Sequence, residues 1–157
     1  MATWSEFEAA APEIAAAARR LMVGADGVAI AFLATASAEA RPHLSPVCPV
    51  FCGDGLYLCA SARTPKVRDL HVNPVFVLHA LLGENDEELQ VSGTASEVSD
   101  VAERGAVHDA IRFAAFDRSD PIFRLEPDRA LQASWERVGQ PDTKPVRRRW
   151  QEMPAGG

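Results

Sequence analysis

Between Val28 and Trp135 the apolar residues come in strand-length runs, most of them closed by a turn signal, and this spacing constrains the fold most. Val28 to Thr35 is apolar on both alternating faces, as expected of a central strand covered on both sides. Ser37 to Arg41 then turns the chain into His43 to Phe51, an extended stretch carrying Pro46 and Pro49. Proline cannot donate to a ladder, so this strand is expected at an edge or interrupted, with backbone groups left free for a ligand. Gly53-Asp54-Gly55 is a tight turn, followed by strands over Leu56 to Cys59 and Val75 to Leu82. Glu88 to Val98 alternates cleanly: Gln90, Ser92, Thr94 and Ser96 share one face, Leu89, Val91 and Ala95 the other. Gly93 within it marks a bulge or a close backbone approach. Two further strands are expected at Ile122 to Leu125 and Ala130 to Trp135. Six or seven short strands predict a mainly β chain, a small antiparallel barrel with peripheral helices. Long alternating βα units are missing, which disfavours a doubly wound parallel sheet.

Helices flank this core. Thr3-x-x-Glu6 and Ser5-x-x-Glu8 compete as capping boxes, and Pro12 suits a first turn, so a short opening turn followed by a helix from Pro12 to about Met22 is expected. Asp100 with Glu103 starts a second helix, which fades near Asp117. The segment after Trp135 carries Pro141, Pro145 and Pro154 and reads as extended and poorly structured, except where Arg147-Arg148-Arg149-Trp150 docks. The 157 residues match one domain, and a net charge of -6 argues against nucleic acid or an anionic membrane as partner. No apolar run approaches the ~20 residues of a membrane span, and Met1 to Arg20 lacks signal-peptide order; a cytoplasmic protein is expected.

Within this acidic chain lies one basic island, Ser61-Ala62-Arg63-Thr64-Pro65-Lys66-Val67-Arg68, between two apolar runs. Thr64 suits an N-cap and Pro65 the first helical position, so the N–H groups of a helix start face Ser61, Arg63 and Lys66. That combination suits a phosphate monoester. Cys48, Cys52 and Cys59 form neither an even set nor a C-x-x-C pair, and are read as reduced core thiols. Cys48 and Cys52 are expected on one face of one strand. His43 and His79, each within a strand, are read as ordinary hydrogen-bonded histidines, and Trp135 and Trp150 as core or interface anchors. No metal site and no catalytic triad is indicated.

The order of Ala29 to Thr35, Arg41 to Val47, Gly53 to Leu58, Lys66 to Leu70, Asn73 to Val75 and Val91 to Ala95 resembles the pyridoxamine 5'-phosphate oxidase-like, FMN-binding split-barrel superfamily, over roughly Val28 to Val98. The resemblance implies a six-stranded antiparallel split β-barrel that forms a homodimer, with a flavin in each of two clefts at the dimer interface. A single domain over 1–157 is expected, with an N-terminal helix at 3–22, a barrel core at 28–136 and an extended tail at 137–157. Lys66 matches the family's phosphate-binding lysine, Ser61 an assisting strand-end hydroxyl, and Arg63 is the expected second cation. Leu44, Ser45, Pro46, Val47, Cys48 and Pro49 match the strand that lines the isoalloxazine ring. Trp135 resembles an aromatic that reaches the flavin from the C-terminal strands, followed by Arg147 or Arg148, and Glu88 falls near a position where the oxidases carry a glutamine.

The activity implied is that of an FMN-dependent oxidoreductase acting on a small organic substrate. A deazaflavin-dependent reductase and a non-catalytic flavin-binding protein are the alternatives, with haem a more distant cofactor. True oxidases end in Arg-Leu-x-Pro after an Arg-x-His pair, whereas this chain ends Glu152-Met153-Pro154-Ala155-Gly156-Gly157. An oxidase-related member is therefore expected.

Overall fold

A computed structural model describes residues 2–153. Met1 and 154–157, with the end of the expected tail, lie outside the described residues. Two helices open the chain, α1 over Trp4–Ala10 and α2 over Pro12–Met22. Thr3 wins the competition for the first cap: its hydroxyl accepts from the Glu6 N–H while the Glu6 carboxylate accepts from the Thr3 N–H. The expected 3–22 helix is thus two helices, broken at Ala11 because Pro12 has no N–H and begins a new first turn.

The strands are β1 (Ala31–Ala36), β2 (Pro42–Val47), β3 (Val50–Cys52), β4 (Gly55–Cys59), β5 (Val75–Ala80), β6 (Glu88–Glu97), β7 (Ile122–Glu136) and β8 (Lys144–Gln151). Helix α3 (Pro65–Val72) joins β4 to β5, and α4 (Val101–Ala110) joins β6 to β7. All neighbours are antiparallel, in the order β2-β1-β5-β6-β7-β4-β3 with β8 also on β7, and the sheet curls into a half-barrel. The mainly β antiparallel architecture is the one the sequence predicts.

Several details of the strands and of α4 differ from expectation. The proline stretch splits at Cys48-Pro49 into β2, an edge strand, and the short β3, so Cys48 and Cys52 do not share a strand. The two expected C-terminal strands are one, β7, because the irregularity at Asp128 is absorbed as a bulge opposite Ser92 and Gly93. The tail is not extended coil: Lys144–Gln151 pairs with Arg129 to Glu136, and Trp150 packs against Phe7 with ring centroids 4.8 Å apart. Helix α4 stops at Ala110, since Ile111, Phe113 and Phe116 turn inward against the residues under β3 and β4.

The main core lies between α1, α2 and the inner sheet face, around Trp4, Phe7, Leu33, Leu58, Phe76 and Leu89. Buried Ala15, Ala17 and Ala18 bring α2 close to β5, β6 and β7. A second cluster (Val50, Tyr57, Cys59, Val98, Val107 and Ile122) fills the space under α4. The strand buried on both faces is therefore β4, not β1. In β1 only one face is inside, and Ile30 just before it and Phe32 are 46% and 38% exposed.

Polar clamps fix the helices. Arg20 of α2 holds Glu87 through two hydrogen bonds of 3.0 and 2.8 Å, and the Gln132 amide donates to the same carboxylate at 2.7 Å. Arg148 bridges Gln132 to Glu13 of α2. Arg124 and the Tyr57 hydroxyl both donate to Glu103 of α4. The Arg20 hydrogen bond above all, followed by that of Gln132, holds the Glu87 carboxyl below its ordinary 4.5. A carboxyl harder to protonate when folded than when unfolded stabilises fully above its unfolded value, and that stability drains as pH falls through the lowered native value. The thermal midpoint is expected to drop below about pH 4.5, and Glu87→Gln to flatten part of that acid limb. An identical acid limb in that variant would contradict the clamp's role.

Candidate functional site

The β4–α3 connection builds one end of a cleft. Strand β4 ends at Cys59, and the Ser61 carbonyl then accepts from both the N–H and the hydroxyl of Thr64, at 3.0 and 2.9 Å, closing a turn at the foot of α3. Thr64 is the N-cap residue by backbone, but its hydroxyl is committed to Ser61 and does not cap the helix. Pro65 takes the first helical position, as the sequence predicts. Lys66, half-buried, makes no ion pair among the described residues, so its ammonium is available to an anion.

The cleft above this turn measures about 380 Å³. Pro46, Val47 and Cys48 at the end of β2 form one wall, where the ladder breaks before Pro49. Leu58 and Cys59 of β4 also line it, as do Phe113 and Phe116, their rings edge to face at 6.0 Å. Lys66, Ser61 and Thr64 gather the polar atoms at one end. The site is thus an apolar slot with a cationic, hydroxyl-bearing end, a shape suited to a flat ligand with an anionic tail.

The aromatic wall is tied to the basic turn. Asp120 accepts from the Ala62 N–H at 3.2 Å and from the Asp117 N–H at 3.1 Å. Arg104 of α4 donates to the carbonyls of Val98, Arg118 and Asp120 at 2.9 to 3.1 Å, fixing the return loop. Burial raises the Cys48 thiol above its ordinary value and pushes Cys59 up to about 11, both away from the reactive thiolate form.

Of the residues singled out in the sequence, Pro46, Val47, Cys48, Ser61 and Lys66 meet in this cleft. Leu44 does not: it points to the outer sheet face and is 70% exposed. Ser45 is half-buried on the other face of β2, outside the lining, and Pro49 is buried behind it, against a separate small cavity with Val28 and Arg112. Arg63 and Arg68 are exposed and do not line the cleft. Trp135 sits at the far end of β7, paired with Pro145, away from the Ile122 end that adjoins β4. Arg147 pairs with Ala133 on the outer face, whereas Arg148 turns inward to Gln132 and Glu13. Glu88 pairs with Ala133, and His79 bonds the Ala80 carbonyl at 2.6 Å.

Sequence reasoning missed Thr64 as a lining residue, along with Ile30, Phe113 and Phe116. The two phenylalanines carried a signal, two aromatics in the segment after α4 that break its helical pattern.

A sequence profile of the family described as pyridoxamine 5'-phosphate oxidase matches residues 26–138. The chain belongs to that family. Among solved structures it is similar to a pyridoxamine 5'-phosphate oxidase-related, FMN binding protein from Nostoc punctiforme, with a TM-score of 0.62 and 12% identity over 90% of this chain and 95% of that one. It is also similar to HutZ, the haem storage protein from Vibrio cholerae, with a TM-score of 0.57 and 23% identity over 75% and 89% of the two chains. A haem binding protein from Mycobacterium smegmatis aligns with a TM-score of 0.56 and 21% identity over 83% of this chain. This chain spans 57% of that protein's length. At these identities the likeness is one of fold. No protein of curated function matches the sequence.

Proposed function

We propose that the chain is an FMN-binding, split-barrel oxidoreductase acting on a small organic substrate. The observation that carries this reading is one slot lined by Lys66, unpaired among the described residues, by Ser61 and Thr64 of the same turn, and by aliphatic and aromatic side chains. Lys66 would hold the phosphate of the mononucleotide as a charge-assisted partner, with Ser61 beside it. Val47, Leu58 and the Phe113–Phe116 pair would enclose the ring system and exclude water. When bound, FMN supplies the hydride or electron transfer. This chain's residues supply binding, orientation and a dry wall.

Haem is supported less well by the same lining. No histidine lines the cleft among the described residues, and burial there disfavours the thiolate of Cys48 and Cys59 that a haem iron would need. A deazaflavin coenzyme carries a phosphate too and remains the runner-up.

We also propose that a second copy covers the outer face of β2, β1 and β5. Register places Pro46 beside Phe32, Leu44 beside Ala34, and Val77 beside Ala34 on its other side, giving an apolar face continuous across three strands. Such a face is unusual on a monomer. No helix among the described residues is long and apolar enough to cross a membrane, and three free thiols suit a reducing cytoplasm.

The visible spectrum of the purified protein, with mass spectrometry of any released ligand and sedimentation of the same sample, tests the reading. Flavin bands, a mass equal to FMN and twice the chain mass are expected. A haem spectrum, or failure of added FMN to bind, would overturn it.

A further inference from the structure

Helix α3 presents Lys66 to the cleft, yet it has little means of holding itself in place. It is eight residues long, short enough to be marginal without tertiary contacts, and its N-cap hydroxyl gives it no hydrogen bond. Val67 and Leu70 bury apolar surface, which is favourable but does not by itself fix a rotation about the helix axis. Between them lies Asp69, the one charged residue among the described residues that is buried, at 4% exposure.

Its carboxylate Oδ2 accepts from the Thr35 hydroxyl at 2.7 Å and lies 2.6 Å from His43 Nδ1. Thr35 and His43 face each other across the β1–β2 ladder. One helix oxygen is therefore gripped by two adjacent strands, and the strand that supplies His43 runs on to Pro46 and Val47 in the cleft wall. Burying a lone carboxylate costs several kcal/mol unless hydrogen bonds offset it. Burial works against the charged form of Asp69, and the bonds from Thr35 and His43, with the nearby Arg68, outweigh it and hold the carboxyl below its ordinary value. A leucine here would bury as much surface with no directional contact.

Lys66 lies three residues before Asp69, so the two share a helix face at roughly 5–6 Å. We propose that Asp69 is a positioning residue: gripped by Thr35 and His43, it sets the rotation of α3 against the β1–β2 hairpin and so aims Lys66 at the anionic end of the cleft ligand. This inference rests on the reading that Lys66 meets the phosphate of FMN.

The test compares FMN with riboflavin, which lacks the phosphate, in wild type, Asp69→Ala, Asp69→Asn, Thr35→Val, Lys66→Ala and the double variant Asp69→Ala/Lys66→Ala. Asp69→Ala is expected to weaken FMN by ~5-fold or more and riboflavin less than ~2-fold, and Asp69→Asn, which keeps an acceptor oxygen, to recover most of the loss. In the Lys66→Ala background the Asp69 change should no longer move the FMN-to-riboflavin ratio, because both substitutions act through one contact. Should Asp69→Ala fail to fold, Thr35→Val removes one arm of the grip and must shift the ratio in the same direction. Equal weakening of both ligands, an additive double variant, or an unchanged ratio in Thr35→Val would overturn the inference alone. An unchanged ratio in Lys66→Ala would overturn the phosphate assignment, and this inference with it.

Discussion

Gly93→Ala is expected to yield little or no folded protein. A Cβ at this position would stand 1.9 Å from the Glu126 carbonyl oxygen and 3.0 Å from the Pro127 Cα, both backbone atoms of the neighbouring strand. No rotamer change relieves that overlap; β6 and β7 must separate where the register already shifts to accommodate Asp128. Together they form the centre of the sheet, and β7 alone connects β6, β4 and β8. The loss should reach or exceed the roughly 1–3 kcal/mol of ordinary overpacking, a large share of the ~5–15 kcal/mol that holds a typical domain. Gly105→Ala is the matched control: nothing lies within 4 Å of its added Cβ, and mid-helix alanine should stabilise α4 by up to about 1 kcal/mol. Denaturant midpoints decide the matter, and a wild-type midpoint for Gly93→Ala would contradict the β6–β7 register.

The second large effect concerns the ligand. Lys66→Ala removes a cation with no competing ion pair among the described residues, so its ammonium is not diverted to another carboxylate. A hydrogen bond to a charged group contributes roughly 1.5–3 kcal/mol, which corresponds to a loss on the order of 10- to 100-fold in FMN affinity. Riboflavin should bind the variant and the wild type alike. Arg63→Ala, exposed and outside the cleft lining, should change neither. Fluorescence titration of both ligands against the three proteins gives the comparison, and equal losses for FMN and riboflavin would place the phosphate elsewhere.

The basic turn and the broken edge strand were legible in the sequence because each depends on local chemistry. Pro65 can only begin a helix, and Pro46 and Pro49 cannot donate to a central ladder, so both signals survive without knowledge of the tertiary fold. Strand β8 was not legible: among Lys144 to Gln151 only Pro145, Val146 and Trp150 are apolar, and three arginines in succession read as a solvated tail. What makes it a strand is distant, with Trp150 on Phe7 and Arg148 on Glu13. Phe113 and Phe116 line the same cleft as Lys66 because Arg104 and Asp120 fold the return loop against the basic turn, a contact from Asp120 to Ala62 that spans 58 residues. Asp69 is illegible for a similar reason. In a short polar helix it looks solvated, and its two partners come from β1 and β2.

The central claim is that the cleft recognises a phosphorylated flavin through its basic end. Parallel titration of the unmodified protein with FMN and with riboflavin tests this most directly. Saturable binding of both is expected, with FMN tighter by on the order of 10-fold or more; equal affinity for the two, or no binding of FMN, would contradict a phosphate-recognising end.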